Sequence, residues 1–213
     1  MALPTPALVV DPEVLDANLG AMQDRCDAAG VALRPHVKGH KCAWIAARQL
    51  ERGARGLAAA TLEEAAGLLG AGLGADVLLT SVAPPTYADE IVALQRLGRL
   101  AIVADDPRPV QAIAARAAAE GVEVPVLVDV DVGQGRAGAR GAHAAVTVAD
   151  AIARTEGVTL AGVQAYEGHL QLAPGEDQRA GHDVAPRALT ATLAAPQAAG
   201  HHTAVVTSAG TGT

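Results

Sequence analysis

Along the chain, short runs of β-branched and aliphatic residues alternate with longer stretches rich in alanine and leucine. The short runs are Val31–Lys38, Gly56–Ala60, Asp76–Thr80, Leu100–Ala104, Val124–Val130, Val158–Tyr166 and Thr203–Ser208. Parallel strands need a crossover of a dozen or more residues, usually a helix, and this spacing predicts a succession of βα units. The intervening stretches carry helix signals. Asp11-Pro12-Glu13 supplies a cap, a first-turn proline and an early acid ahead of the stripe Leu15, Leu19, Met22 and Cys26. Thr61-Leu62-Glu63-Glu64 has the form of a capping box, and Asp106-Pro107 opens a helix with Val110, Ile113 and Ala117 on one face. Gly30, Gly53, Gly121 and Gly200 each follow a helical stretch, where a left-handed residue is expected.

Seven such strands leave an α/β fold with two forms, an open doubly wound sheet or a (β/α)₈ barrel. A dinucleotide fold shows a Gly-rich fingerprint after its first strand. Here that strand runs into Lys38-Gly39-His40-Lys41, and no Walker A sequence occurs. The expectation is therefore a TIM-type barrel, incomplete by about one strand, in a single domain over residues 1–213.

Composition narrows the function classes. The 213 residues carry a formal charge of −7, and the aromatics are one Trp, two Tyr and no Phe. A nucleic-acid surface wants a basic face and stacking rings, so this class is disfavoured. No uncharged apolar run approaches the roughly 18 residues of a membrane helix, and the N-terminus lacks the charged start and apolar stretch of a signal peptide. Cys26 and Cys42 form no disulfide framework and no metal-ligand spacing. A cytoplasmic chain with a small-molecule partner is the expectation.

Chemistry in a barrel sits just after the strand C-termini. Polar clusters fall there: His36 to His40, Asp129 to Arg136, Tyr166 to Gln171, and Ser208 to Thr213. Lys38 ends an apolar strand beside histidines, a setting for a Schiff-base lysine and equally for a solvated loop lysine. Ser208-Ala209-Gly210-Thr211-Gly212-Thr213 is a small-residue turn able to aim several N–H groups at one phosphate, or an ordinary turn. Arg136 either reaches an anionic oxygen or pairs with Asp131, and Tyr166 either flanks a flat ring or fills the core. On an extended segment His40, four positions after His36, would lie about 13 Å from it, too far for a shared metal. A lysine, an arginine, an aromatic and a phosphate turn on one face form an inventory suited to pyridoxal 5′-phosphate.

These segments resemble a known family. Arg34-Pro35-His36-Val37-Lys38-Gly39-His40-Lys41 is similar to the R-P-H-x-K-x-H-K segment of the D-threonine aldolase and D-serine dehydratase group, whose barrel is of the alanine racemase N-terminal type. Thr5-Pro6-Ala7-Leu8-Val9-Val10-Asp11 resembles the group's opening, Asp129 to Gly138 its D-x-G-x-x-R-x-G loop, and Val163 to His169 and Ser208 to Thr213 two further segments in order. The resemblance implies that Lys38 carries pyridoxal phosphate, that Arg136 approaches the ring's phenolic oxygen, and that Tyr166 contacts ring or substrate. It implies that Ser208, Gly210, Thr211 and Gly212 hold the phosphate. A histidine handles the substrate hydroxyl's proton in the aldolases; His169 and the more distant His182 are the candidates, with His169 the preferred catalytic partner of Lys38. The implied reaction is retro-aldol cleavage of a D-3-hydroxy amino acid to glycine and an aldehyde. Dehydration of D-serine or a D-hydroxyaspartate, or a non-catalytic pyridoxal-phosphate barrel, remain open. Family members continue into an eighth strand and a C-terminal β domain bearing divalent-metal ligands, so those ligands are expected to lie beyond Thr213. A homodimer is a possible assembly.

Overall fold

The computed structural model describes residues 4–171, 173 and 175–210. Among these residues seven α-helices and six strands occur, alternating from α2 onward: α1 (Pro12–Ala28), α2 (Ala43–Glu51), β1 (Leu57–Ala59), α3 (Leu62–Gly70), β2 (Val77–Leu79), α4 (Ala88–Gln95), β3 (Leu100–Ala104), α5 (Pro107–Ala119), β4 (Val124–Val130), α6 (Gly141–Ala153), β5 (Val158–Ala165), α7 (Gly175–Ala198) and β6 (Val205–Thr207). All six strands are parallel and lie in sequence order, which curls the sheet into part of a barrel.

The helix starts follow from the caps read in the sequence. Asp11 Oδ1 accepts from the backbone N–H of Glu13 and Val14, at 2.9 and 3.1 Å. Asp106 Oδ1 accepts from Arg108 N at 2.8 Å. Thr61 Oγ1 accepts from Glu64 N at 3.2 Å, while Glu64 Oε2 reaches back to Ala60 N, one residue before the reciprocal capping-box position. The four glycines expected past helix ends all have positive φ.

The first expected strand, Val31–Lys38, is not one. It makes a single parallel bridge, His36 to Ala58, and then winds into a 3₁₀ turn at Val37–Gly39. Leu33 O and Pro35 O accept from Arg55 N and Ala58 N, so the segment does lie along β1. Pro35 has no N–H to return, and that interrupts the ladder.

Two apolar layers flank the sheet. The larger lies between sheet and helices, where Ile91, Ile113 and Ile152 pack on Val77, Ile102, Val126 and Val163. Alanine permits close approach there: Ala114, Ala117, Ala145 and Ala149 are fully buried. The smaller layer is the barrel interior, with Leu78, Ala101, Val103 and Leu127. Strand residues two apart share a face, so Asp129 follows Leu127 inward. The interior therefore turns from apolar to polar as β4 approaches its C-terminal end.

Candidate active site

Lys38 stands on the 3₁₀ turn, whose neighbour Val37 is 1% exposed and anchors the turn in the core. Its Nζ lies 5.3 Å from the centroid of the Tyr166 ring at the end of β5. Arg136, from the β4–α6 loop, brings Cζ to 5.4 Å from the same centroid. Lys38 and Arg136, 98 positions apart in the sequence, thus meet on one ring. The chain's 16 basic residues include two lysines, Lys38 and Lys41. Lys41 is instead ion-paired with Glu64 at 3.1 Å, and its backbone is left-handed at φ 48°. The two amines of one octapeptide therefore have different surroundings.

The Arg136 loop is shaped by Asp131. Its Oδ1 accepts from Gly133 N and Gly135 N, both at 3.0 Å, and its Oδ2 meets Arg140 Nε at 3.3 Å. Burial alone would raise this carboxyl, but the two N–H groups and Arg140 outweigh it and hold Asp131 below the ordinary range. The partner of Asp131 is Arg140, which leaves Arg136 aimed at Tyr166.

A buried polar layer lies across the strand ends. Gln164 Nε2 donates to Asp129 Oδ1 at 2.9 Å and to Thr80 O at 3.0 Å. Burial lifts the Asp129 carboxyl from 3.8 to about 6, against the opposing bond from Gln164. Thr80 Oγ1 donates to Ala59 O at 3.0 Å and meets His36 Nε2 at 3.2 Å. Burial, reinforced by the Lys38 charge, depresses the His36 imidazole to about 4. Sequence reasoning assigned no role to Thr80, Gln164 or Asp129; the legible signal was a carboxylate at an inward position of the apolar run Val124–Val130.

Beyond Tyr166 the chain makes another 3₁₀ turn, Gly168–Leu170. A Cβ on Gly168 would lie 2.4 Å from Tyr166 Cε1, so the bare backbone makes room for the ring. His169 on this turn packs its imidazole against Gly133, where an added Cβ would be 3.2 Å from Nε2. That places His169 beside the Arg136 loop. His182 falls within α7, where its side chain lies outside the described residues.

Ser208 and Gly210 follow β6; Thr211 and Gly212 lie outside the described residues. Ser208 Oγ donates to Oε1 of the buried Glu167 at 3.1 Å, tying the turn to the residue after Tyr166. Ala209 is left-handed at φ 74°, a conformation that costs an L-residue about 1–2 kcal/mol. The exit turn thus carries backbone strain and is tied to Glu167. Among the described residues no group of three or more His, Cys, Asp or Glu side chains is arranged to hold a metal ion, and no helix is long and apolar enough to cross a membrane.

A flat ring flanked by an amine and a guanidinium, with a strained small-residue turn bonded to the residue after it, fits a phosphorylated aromatic aldehyde. Residues 10–213 match the profile of the alanine racemase N-terminal domain. The chain belongs to the alanine racemase N-terminal domain family. It is 36% identical over 176 residues to a D-threonine aldolase of Arthrobacter sp., covering 83% of this chain and 46% of that protein. It is 37% identical over 139 residues to a D-threo-3-hydroxyaspartate dehydratase of Delftia sp. (strain HT23), covering 65% and 36%. The crystal structure of D-threonine aldolase from Filomicrobium marinum superimposes with a TM-score of 0.93 at 32% identity, over 98% of this chain and 57% of that one. The chain spans about half the length of these family relatives.

Proposed function

We propose that this chain is the pyridoxal-phosphate barrel of a lyase that cleaves D-3-hydroxy amino acids to glycine and an aldehyde. The observation that carries the reading is the meeting of the Lys38 amine and the Arg136 guanidinium on the Tyr166 ring. The similarity to D-threonine aldolases supports the choice of reaction.

Bound here, the cofactor would supply a carbonyl for amine condensation and an electron sink for the bond broken at the substrate's Cα. The remaining work falls to the chain. Lys38 offers the amine, and Lys41 is held aside by Glu64. Tyr166 gives the ring a flat face, and Arg136 presents positive charge at its edge. The turn from Ser208 to Gly212 would hold the phosphate. The Ser208 hydroxyl donates its hydrogen bond to Glu167 and tethers that turn. His169 takes the proton from the substrate's β-hydroxyl as the Cα–Cβ bond opens. A divalent metal would polarise that hydroxyl, and we place its ligands outside this chain.

Product analysis tests the reading. The chain, and a version extended by the second half of a D-threonine aldolase, are incubated with pyridoxal phosphate, manganese and D-threonine, D-serine or D-threo-3-hydroxyaspartate. Glycine and an aldehyde from the extended protein, with L-isomers spared, support it. An oxoacid and ammonia without glycine would establish a dehydratase, the activity of the Delftia relative.

A further inference from the structure

His36 occupies a position at which every hydrogen has one direction to go. Thr80 Oγ1 donates its single hydrogen to Ala59 O at 3.0 Å, so toward His36 Nε2, 3.2 Å away, it can only accept. Nε2 therefore carries the ring hydrogen. The other nitrogen, Nδ1, accepts from the backbone N–H of Lys38 at 3.2 Å and must be bare. The ring's state is thus fixed by its neighbours on both sides, and the main chain at His36 is fixed by its bridge to Ala58 on β1. A doubly protonated imidazole would lose the Lys38 N–H bond, and burial disfavours that form.

We propose that His36 is a positioning residue: in its Nε2–H tautomer it caps the Lys38 N–H and sets the short turn from which the Lys38 amine reaches the Tyr166 ring. Through Thr80, which also accepts at its carbonyl from Gln164, the turn is referenced to the ends of β1, β2 and β5. The role rests on the reading of Lys38 given above, and concerns only where that amine is held.

The test has two arms. In the first, long-range ¹⁵N–¹H correlation of the histidines in the apo chain between pH 5.5 and 8 should show one His36 tautomer, hydrogen on Nε2 and none on Nδ1. A hydrogen on Nδ1 overturns the proposal whatever Lys38 does. In the second, the chain is mixed with pyridoxal phosphate, fixed with borohydride at timed intervals, and the adduct on Lys38 quantified. His36→Leu should slow its formation by about tenfold or more, since an ångström of misplacement is costly. His36→Asn, whose amide oxygen can cap the same N–H, should return it to within about threefold. Thr80→Val, a gentler change that removes the acceptor for Nε2–H, should fall between. Variants are compared only where circular dichroism shows the wild-type fold. A folded His36→Leu or Thr80→Val with the wild-type rate overturns the proposal, as does a His36→Asn no faster than His36→Leu. An adduct absent from Lys38 in the wild type refutes the Lys38 reading instead, and the tautomer arm is unaffected by that result.

Discussion

Exchanging Asp129 for asparagine keeps the oxygen that accepts from Gln164 Nε2 and removes the ionisation. Asp129 is 8% exposed, and its carboxyl titrates near 6 where an exposed one titrates near 3.8. The folded chain therefore holds this proton to higher pH than the unfolded chain does. Stability contributed by the protonated group is fully present below 3.8 and is lost as pH rises through about 6. The displacement corresponds to about 3 kcal/mol once the carboxylate is fully ionised, an upper figure because the buried group can recruit water. Asp129→Asn lacks this loss. Urea titrations at pH 4.5, 5.5, 6.5 and 7.5 should show the variant gaining on the wild type by about 2 kcal/mol across that range, the first ~1 kcal/mol of the loss falling below pH 4.5, with equal slopes in denaturant. Taking the difference between the two proteins removes the other titrating groups they share. Parallel stability curves for wild type and variant from pH 4.5 to 7.5 would refute the assignment of a buried, neutral-leaning carboxyl to this layer.

Two further substitutions probe the geometry around Tyr166 and the exit turn. Ala209→Gly should raise stability by about 1 kcal/mol, because glycine adopts φ 74° without the Cβ penalty, less its larger unfolded-state entropy; a drop in melting temperature would argue against the left-handed residue. Gly168→Ala places a Cβ 2.4 Å from Tyr166 Cε1 and should displace the ring, weakening pyridoxal phosphate binding by about tenfold or more. Unchanged affinity in a fluorescence titration would mean that the ring does not contact the cofactor.

The alternation of strand and helix was legible because each element satisfies its own local rules. Leu100–Ala104 and Val124–Val130 run over the expected residues, and the caps at Asp11, Thr61 and Asp106 form as their side chains require. The Val31–Lys38 run has a strand's hydrophobicity, but the missing N–H of Pro35 reduces it to one bridge, an edge effect that a periodicity count does not weigh. Lys38, Arg136 and Tyr166 could be grouped from sequence because a barrel gathers its strand exits on one face. The polar layer could not, because its bonds join residues 21 to 84 positions apart and depend on register between strands. Ser208 likewise has a partner that no local motif names: its hydroxyl donates to Glu167, 41 positions earlier.

The central claim is that Lys38 is the amine that takes the cofactor. The chain tests this cleanly, because its two lysines, three residues apart, are joined by only one other primary amine, the N-terminus. The chain is incubated with a stoichiometric amount of pyridoxal phosphate, reduced with borohydride, digested, and the pyridoxyl group located by peptide mass spectrometry. The account predicts that the label sits on Lys38 and that excess inorganic phosphate suppresses it. A label on Lys41, or one shared evenly among Lys38, Lys41 and the N-terminus and indifferent to phosphate, would contradict it.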